Sequence, residues 1–271
     1  MSSGSVAGRA EAQARRPWFH RIARLGMAAR GAIFLIIGVL AIRVATDTGG
    51  ETTDQGGALE VVAEQRFGMA LLTLLAAGLA FYALWRLAQG VLDTDDKGDD
   101  EKAWAMRAGK VGSGIAYGLL FVSALGILME SGGGGSGSNP KSTTGGVLGW
   151  PGGQAWVVLA ALIVFAVAGW NVYRGVSKAF MKRLHPPPRM RTPVEWVGVI
   201  GMCARGLVFA VIAAFLVKAA AEYDPKEAVG LDGALARIAG EPYGAALLGA
   251  VATGLVAFAL YCFAEARYRE V

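Results

Sequence analysis

The sequence predicts an all-α integral membrane protein whose six transmembrane helices form three tandem hairpins of the same orientation. Hydrophobic residues make up 54% of the 271 positions and charged residues only 17%, whereas about a quarter of a soluble domain is charged. Apolar runs of about twenty residues, long enough to cross about 30 Å of hydrocarbon, alternate with short charged segments. One sequence pattern also recurs three times along the chain.

The apolar runs give the predicted spans. They cover residues 25–45, 68–92, 108–129, 155–178, 197–219 and 244–264. The first run follows a polar, basic arm and is too long for a signal-peptide core, so we expect it to remain as a span. Cys203 and Cys262 lie inside predicted spans without CxxC spacing. They therefore indicate neither a disulfide framework nor a zinc site.

The odd-numbered spans share one motif. GMAARGAIF at 26–34 returns as GMCARGLVF at 201–209, and the third span carries GKVGSGIAY at 109–117, with Ser113 in place of the arginine. The shared small and aromatic positions, which we expect to pack the repeats together, are Gly26, Gly31, Phe34, Gly109, Gly114, Tyr117, Gly201, Gly206 and Phe209.

The even-numbered spans share a second motif of two aromatic residues three positions apart. It appears as YALWR at 82–86, WNVYR at 170–174 and FALYC at 258–262. The aromatic pairs, also assigned to packing, are Tyr82 and Trp85, Trp170 and Tyr173, and Phe258 and Tyr261. The next residue is Arg86, Arg174 or Cys262, so the third copy departs from the pattern.

The outer loops of the first and third copies also agree. GALEVVAEQRFG at 57–68 parallels GALARIAGEPYG at 233–244, and each predicts a short helix. The middle copy carries SGGGGSGSNPKSTTGG at 131–146 instead. Because Gly/Ser-rich segments behave as flexible coil, we predict that this copy has lost the short helix.

The repeats divide the chain into hairpins and connecting segments. The predicted parts are a basic arm at 1–21, hairpins at 22–92, 104–178 and 196–268, an acidic linker at 93–103 and a basic loop at 179–195. Each hairpin begins and ends on the same side, so the copies are parallel rather than inverted. Three parallel copies predict a pseudo-threefold axis along the membrane normal.

Lysine and arginine residues indicate the orientation. They concentrate in the basic arm, in the 179–195 loop and after the sixth span, whereas residues 46–66 are acidic. The positive-inside rule therefore places both termini in the cytoplasm. The acidic linker is assigned to the same side, because Asp and Glu weigh little in this rule and lysines and arginines flank the linker.

The two motifs and their threefold recurrence resemble the bacterial membrane family catalogued as domain of unknown function 1206. The resemblance covers nearly all of the chain beyond the first twenty residues. It implies a multi-pass protein of the bacterial cytoplasmic membrane, and it brings no established activity or catalytic residues. Ser113 and Cys262 are the departures from the pattern.

Four arginines of the repeats form the candidate site: Arg30, Arg86, Arg174 and Arg205. With the predicted topology, each lies within a turn or two of the cytoplasmic end of its span. Three interpretations remain open. The side chains reach cytoplasmic lipid phosphates as anchors, they bind a neighbouring helix, or they converge into a basic ring that holds an anion, a lipid phosphate or an acidic partner group. Glu265 is the nearest candidate counterion, and Asn171 is predicted to bond a neighbouring helix.

The remaining chemistry argues against catalysis. His20 and His185 lie at the ends of spans, and no Asp or Glu lies deep in a predicted span, where proton-coupled carriers generally need relay groups. No Ser-His-Asp set, metal cluster or phosphate-binding P-loop is evident. We therefore predict no enzyme, no cofactor, no metal and no nucleic-acid partner.

These observations favour a non-enzymatic structural or accessory membrane protein that binds anionic lipid of the cytoplasmic leaflet or another membrane protein complex. The alternative is an anion channel or an uncoupled carrier of small solutes with an arginine ring on its cytoplasmic side. A pore requires the arginines to face a common axis, whereas anchors face lipid.

Overall fold

The computed structural model describes residues 17–49, 51–91, 101–129 and 140–269. Its α-helices are α1 (Pro17–Ala45), α2 (Gln55–Ala63), α3 (Gly68–Val91), α4 (Glu101–Met129), α5 (Pro140–Leu148), α6 (Gly153–Val176), α7 (Pro188–Ala221), α8 (Leu231–Gly240) and α9 (Gly244–Tyr268). Six of them are long and apolar enough to cross a membrane: α1, α3, α4, α6, α7 and α9. The predicted fold class is confirmed.

Several helices extend beyond the predicted spans. α7 begins at Pro188, nine residues before the predicted start at 197, because proline is well suited to the first position of a helix. Much of the 179–195 loop is therefore helical, with a 3₁₀ turn at Ala179–Arg183 before α7. The loop is tied to the end of α9, where the backbone N–H of His185 donates to the carbonyl of Tyr268 at 3.0 Å.

The middle copy has a short outer helix, α5, and the prediction that it was lost is wrong. Pro140 opens this helix, again at a position that tolerates the missing N–H. Leu148, at its other end, is buried against Val157 and Ala220, and its carbonyl accepts a hydrogen bond from the hydroxyl of Tyr223 at 2.7 Å. These contacts stabilise a segment whose composition disfavours helix. The glycine-rich residues 131–139 lie outside the described residues.

The six spans form an incomplete helix ring in the order α4, α3, α1, α9, α7 and α6. Each even-numbered span packs closely against the odd-numbered span of the next repeat: α3 against α4, α6 against α7, and α9 against α1. Within the first and third repeats, α1 also packs against α3 and α7 against α9. This recurrence is the predicted pseudo-threefold arrangement.

The second repeat departs from that arrangement. In the first repeat, a Cβ placed on Gly26 would lie 2.7 Å from the Cβ of Tyr82, and in the third a Cβ on Gly201 would lie 2.4 Å from the Cα of Phe258. At the equivalent Gly109, nothing lies within 4 Å. Among the described residues, α4 and α6 therefore stand apart, in contrast to the close approach predicted for this glycine.

Candidate anion-binding site

Arg30 projects from α1 into the interior of the helix ring and is only 6% exposed. Its Nη1 donates to the hydroxyl of Tyr82 on α3 at 2.9 Å. Its guanidinium carbon also lies 4.8 Å from the ring centroid of Phe258 on α9. Arg30 thus contacts two neighbouring helices, as in the second interpretation of the sequence, rather than extending along the lipid surface.

Arg205, at the equivalent position of α7, meets Arg30 at the same aromatic ring. Its guanidinium carbon lies 4.9 Å from the centroid of Phe258, 4.9 Å from that of Phe209 and 5.4 Å from that of Phe34. The Nε atoms of Arg30 and Arg205 are both buried and have no hydrogen-bond partner among the described residues. The guanidinium groups of two different repeats therefore converge on the ring of Phe258, and each has an unused N–H donor.

Arg86 of α3 joins this group through Tyr82. Its Nε donates to the Tyr82 hydroxyl at 3.0 Å, and its Nη1 to Oε1 of the buried Gln89 at 3.4 Å. Its guanidinium carbon lies 5.1 Å from the ring centroid of Trp85. The hydroxyl of Tyr82 therefore accepts hydrogen bonds from two arginines of two different spans.

Arg174 lies two residues before the end of α6 and is half-buried. The aromatic pair that precedes it, Trp170 and Tyr173, is 47% and 59% exposed. Both were assigned to repeat packing, and the structure places them instead on open surface. Asn171 also differs from expectation, because its amide donates to the carbonyl of Val167 in the same helix at 2.8 Å.

Gly109 is exposed and has open space around it, and most of the other residues assigned to packing lie in helix contacts or in the core. Gly31, Gly114 and Gly206 each lie close to the neighbouring repeat, where an added Cβ would come within 3.4 Å of its atoms. Tyr117, Tyr82, Tyr261, Phe34 and Phe258 are all buried. The ring centroids of Tyr82 and Tyr117 are 4.5 Å apart, so Tyr117 of α4 borders the arginines.

Glu265 and Arg269 form an ion pair that the sequence reading did not identify. Glu265 was considered as a counterion for the four arginines, and it is 4% exposed. The structure pairs it with Nη1 of Arg269, four residues later on the same helical face. Arg269 also stacks over Trp85, with its guanidinium carbon 5.0 Å from the ring centroid. The i, i+4 spacing of Glu265 and Arg269 is the sequence feature that could have identified this ion pair.

Arg107 is a second residue that the sequence reading missed. Its Nε donates to the carbonyl of Gly90 and its Nη2 to the carbonyl of Val91, each at 2.9 Å. It thereby satisfies the free carbonyls at the end of α3. Arg107 therefore has a structural role and is not one of the arginines of the candidate site.

Arginines stacked on aromatic faces with unused N–H groups suit an anion that accepts several hydrogen bonds, such as phosphate. A metal ion needs other ligands, and no group of three His, Cys, Asp or Glu residues that could hold one occurs in the described part of the chain.

Comparison with known proteins identifies the family of this chain. The model of the family described as Domain of Unknown Function (DUF1206) matches residues 25–93, 108–178 and 200–269. The chain belongs to this family. Each matched segment covers most of the two spans of one hairpin of the DUF1206 protein. It is also 32% identical to the uncharacterized protein YxxB of Bacillus subtilis (strain 168) over 264 residues, 96% of this chain and 94% of the relative. No solved structure matches the chain.

Proposed function

We propose that this DUF1206 protein is a non-enzymatic membrane protein that binds a phosphate-bearing anion at an arginine cluster, defined as Arg30, Arg86, Arg174 and Arg205. The observation that carries the proposal is the convergence of Arg30 and Arg205 on the ring of Phe258, each with a buried Nε that has no hydrogen-bond partner among the described residues.

Charge balance supports an external anion. Like charges repel strongly where water is excluded, and a buried charge without a counterion is costly. Glu265, the carboxylate on α9 near the cluster, is already paired with Arg269. A bound anion would offset the repulsion and accept the unused Nε–H groups. The planar guanidinium fork matches the oxygen geometry of phosphate.

The packing of the ring interior favours binding over conduction. Phe34 and Phe258 are 2% and 1% exposed, and their centroids lie 4.9 Å apart in an edge-to-face contact. Ile37, one turn beyond Phe34, is fully buried. These side chains fill the space next to Arg30 and Arg205 where an anion path would run. Association with another membrane complex stays a prediction.

The test is binding of phosphatidylglycerol to the detergent-purified protein, followed by native mass spectrometry. We expect Arg205→Met to weaken binding roughly 10- to 100-fold, because one charge-assisted hydrogen bond is worth about 1.5–3 kcal/mol. Arg43→Met is the matched control, since Arg43 is exposed on α1 and lies about 20 Å along that helix from Arg30.

Arg205→Lys separates charge from geometry, because lysine keeps the charge but lacks the planar fork. We expect intermediate binding for this variant. Equal affinity of the wild type, Arg205→Met and Arg43→Met would contradict the proposed function.

A further inference from the structure

The gap between α4 and α6 is a specific departure from the packing of the other two repeats. In the first repeat, Ala29 of α1 packs on Gly78 of α3, and a Cβ on Gly78 would lie 2.5 Å from the Cβ of Ala29. In the third repeat, Ala204 of α7 packs on Gly254 of α9 in the same way, at 2.3 Å. These small residues close the seam within each hairpin.

The equivalent seam of the second repeat is open. Gly109 and Gly112 of α4 occupy the positions of Gly26 and Ala29, and nothing lies within 4 Å of a Cβ placed on either. Ala166 and Trp170 of α6, at the positions of Gly78 and Tyr82, are both exposed. We name the gap between these residues the α4–α6 cleft and define it by Gly109, Gly112, Ala166 and Trp170.

The cleft lies beside the arginine cluster. On α4, Gly112 is followed by Ser113, which stands where the other repeats carry Arg30 and Arg205. One turn further, Tyr117 packs on Tyr82, the residue that binds Arg30 and Arg86. On α6, Arg174 follows Trp170 by one turn. Ser113 has a shorter and uncharged side chain at this position, next in sequence to Gly112 of the cleft.

The exposed side chains of α4 and α6 match lipid rather than water. Only 17% of the residues in the most apolar stretch of α4 are buried and 22% of those in α6, compared with 28% to 56% in the other four spans. Ile163 and Val167 of α6, on the same side as Trp170, are 56% and 41% exposed. An acyl chain makes favourable apolar contact with such a surface, whereas a soluble anion does not.

From the apolar cleft and the adjoining cations, we infer that the ligand is a phospholipid with an anionic headgroup, which enters sideways from the bilayer through the α4–α6 cleft. Its phosphate lies at Arg30 and Arg205, and one acyl chain leaves between Gly112 and Ala166. The inference rests on the proposed function and narrows its ligand from phosphate-bearing anions in general to a lipid. The unpaired Nε of the buried Arg30 supplies the site for the phosphate.

The test fills the cleft and compares two probes. Gly112→Leu and, from the opposite wall, Ala166→Leu introduce side chains where an acyl chain would lie. Gly169→Leu is the matched control, because Gly169 also has open space around it but lies in the groove between α6 and α7. The probes are phosphatidylglycerol and glycerol 3-phosphate, which carries the phosphate without acyl chains.

We expect the wild type to bind phosphatidylglycerol at least 10-fold more tightly than glycerol 3-phosphate. The cleft variants should bind phosphatidylglycerol at least 10-fold more weakly than Gly169→Leu, with glycerol 3-phosphate binding unchanged. The lateral route is wrong if both cleft variants bind phosphatidylglycerol as tightly as the wild type does. It is also wrong if the variants lose the same affinity for both probes.

The two proposals fail in different ways. A wild type that binds glycerol 3-phosphate as tightly as phosphatidylglycerol overturns the lipid inference and leaves the anion site standing. A wild type that binds neither probe overturns the proposed function itself.

Discussion

At the scale of single residues, the hydroxyl of Tyr82 is the acceptor that holds two arginines in place. It accepts from Nη1 of Arg30 at 2.9 Å and from Nε of Arg86 at 3.0 Å. Tyr82→Phe should lower the free energy of unfolding by about 1–3 kcal/mol, the cost of leaving buried donors without an acceptor. Thermal unfolding in detergent measures the loss. Tyr173→Phe, at an exposed tyrosine of the equivalent motif, is the control, and equal melting temperatures for both variants would contradict this role.

A second prediction at this scale uses the repeat glycines. A Cβ on Gly201 would come within 2.4 Å of the backbone of Phe258, whereas Gly109 has open space. Gly201→Ala should destabilise the protein by about 1–3 kcal/mol, the usual cost of overpacking. Gly109→Ala should leave stability unchanged or raise it slightly, because alanine favours helix. Equal melting temperatures for the two variants would contradict the close packing of α7 on α9 at Gly201.

The four arginines could be named from the sequence, but their partners could not. The helical period places Arg30 on the same face as Gly26 and Phe34. It does not show whether that face meets lipid or another span. Because motifs that pack helices and motifs that face lipid are both apolar, the choice among anchoring, helix binding and convergence depended on the contacts between spans.

At the scale of the helices, the open seam of the second repeat is the least expected feature. The small residues occur in all three copies, so their pattern predicts three closed hairpins. It cannot show that α4 and α6 stay apart while each packs on the neighbouring repeat, α4 on α3 and α6 on α7. The short helix α5 was missed for a related reason. The prediction rested on local composition, whereas the tertiary contacts of Leu148 stabilise this helix.

Cross-linking tests the open seam directly. In a background with alanine at Cys203 and Cys262, the pair Ala29→Cys and Gly78→Cys should form a disulfide on mild oxidation. A Cβ on Gly78 would lie 2.5 Å from that of Ala29, so a shift of about 1 Å brings the pair to the separation of about 3.5–4.5 Å that a disulfide requires. The equivalent pair of the second repeat, Gly112→Cys and Ala166→Cys, should not cross-link under the same conditions. Cross-linking of both pairs to the same extent would show that the cleft closes in the membrane.

At the scale of the whole molecule, the four arginines occupy two kinds of position. Arg30 and Arg205 lie near the middle of α1 and α7, which are longer than the predicted spans, whereas Arg86 and Arg174 lie near the ends of α3 and α6. The fold class was accessible from the sequence, since span length and recurrence determine it. The side of the membrane on which the termini lie is a prediction from the charge rule alone.

Reporter fusions test that orientation. With the arginine cluster at the cytoplasmic face, alkaline phosphatase fused after residue 271 should be inactive, whereas an insertion between α2 and α3 should be active, because the enzyme matures only outside the cytoplasm. The lysines and arginines of the 179–195 loop and the C-terminal end give the physical reason. The reverse pattern would place the cluster in the opposite leaflet.

The most direct test of the central claim is a crystal structure of the protein grown in a lipid phase that contains phosphatidylglycerol. We expect a phosphate within hydrogen-bond distance of Arg30 and Arg205, with an acyl chain that leaves between α4 and α6. Arginines that bind only protein atoms, with no anion between them, would contradict the claim.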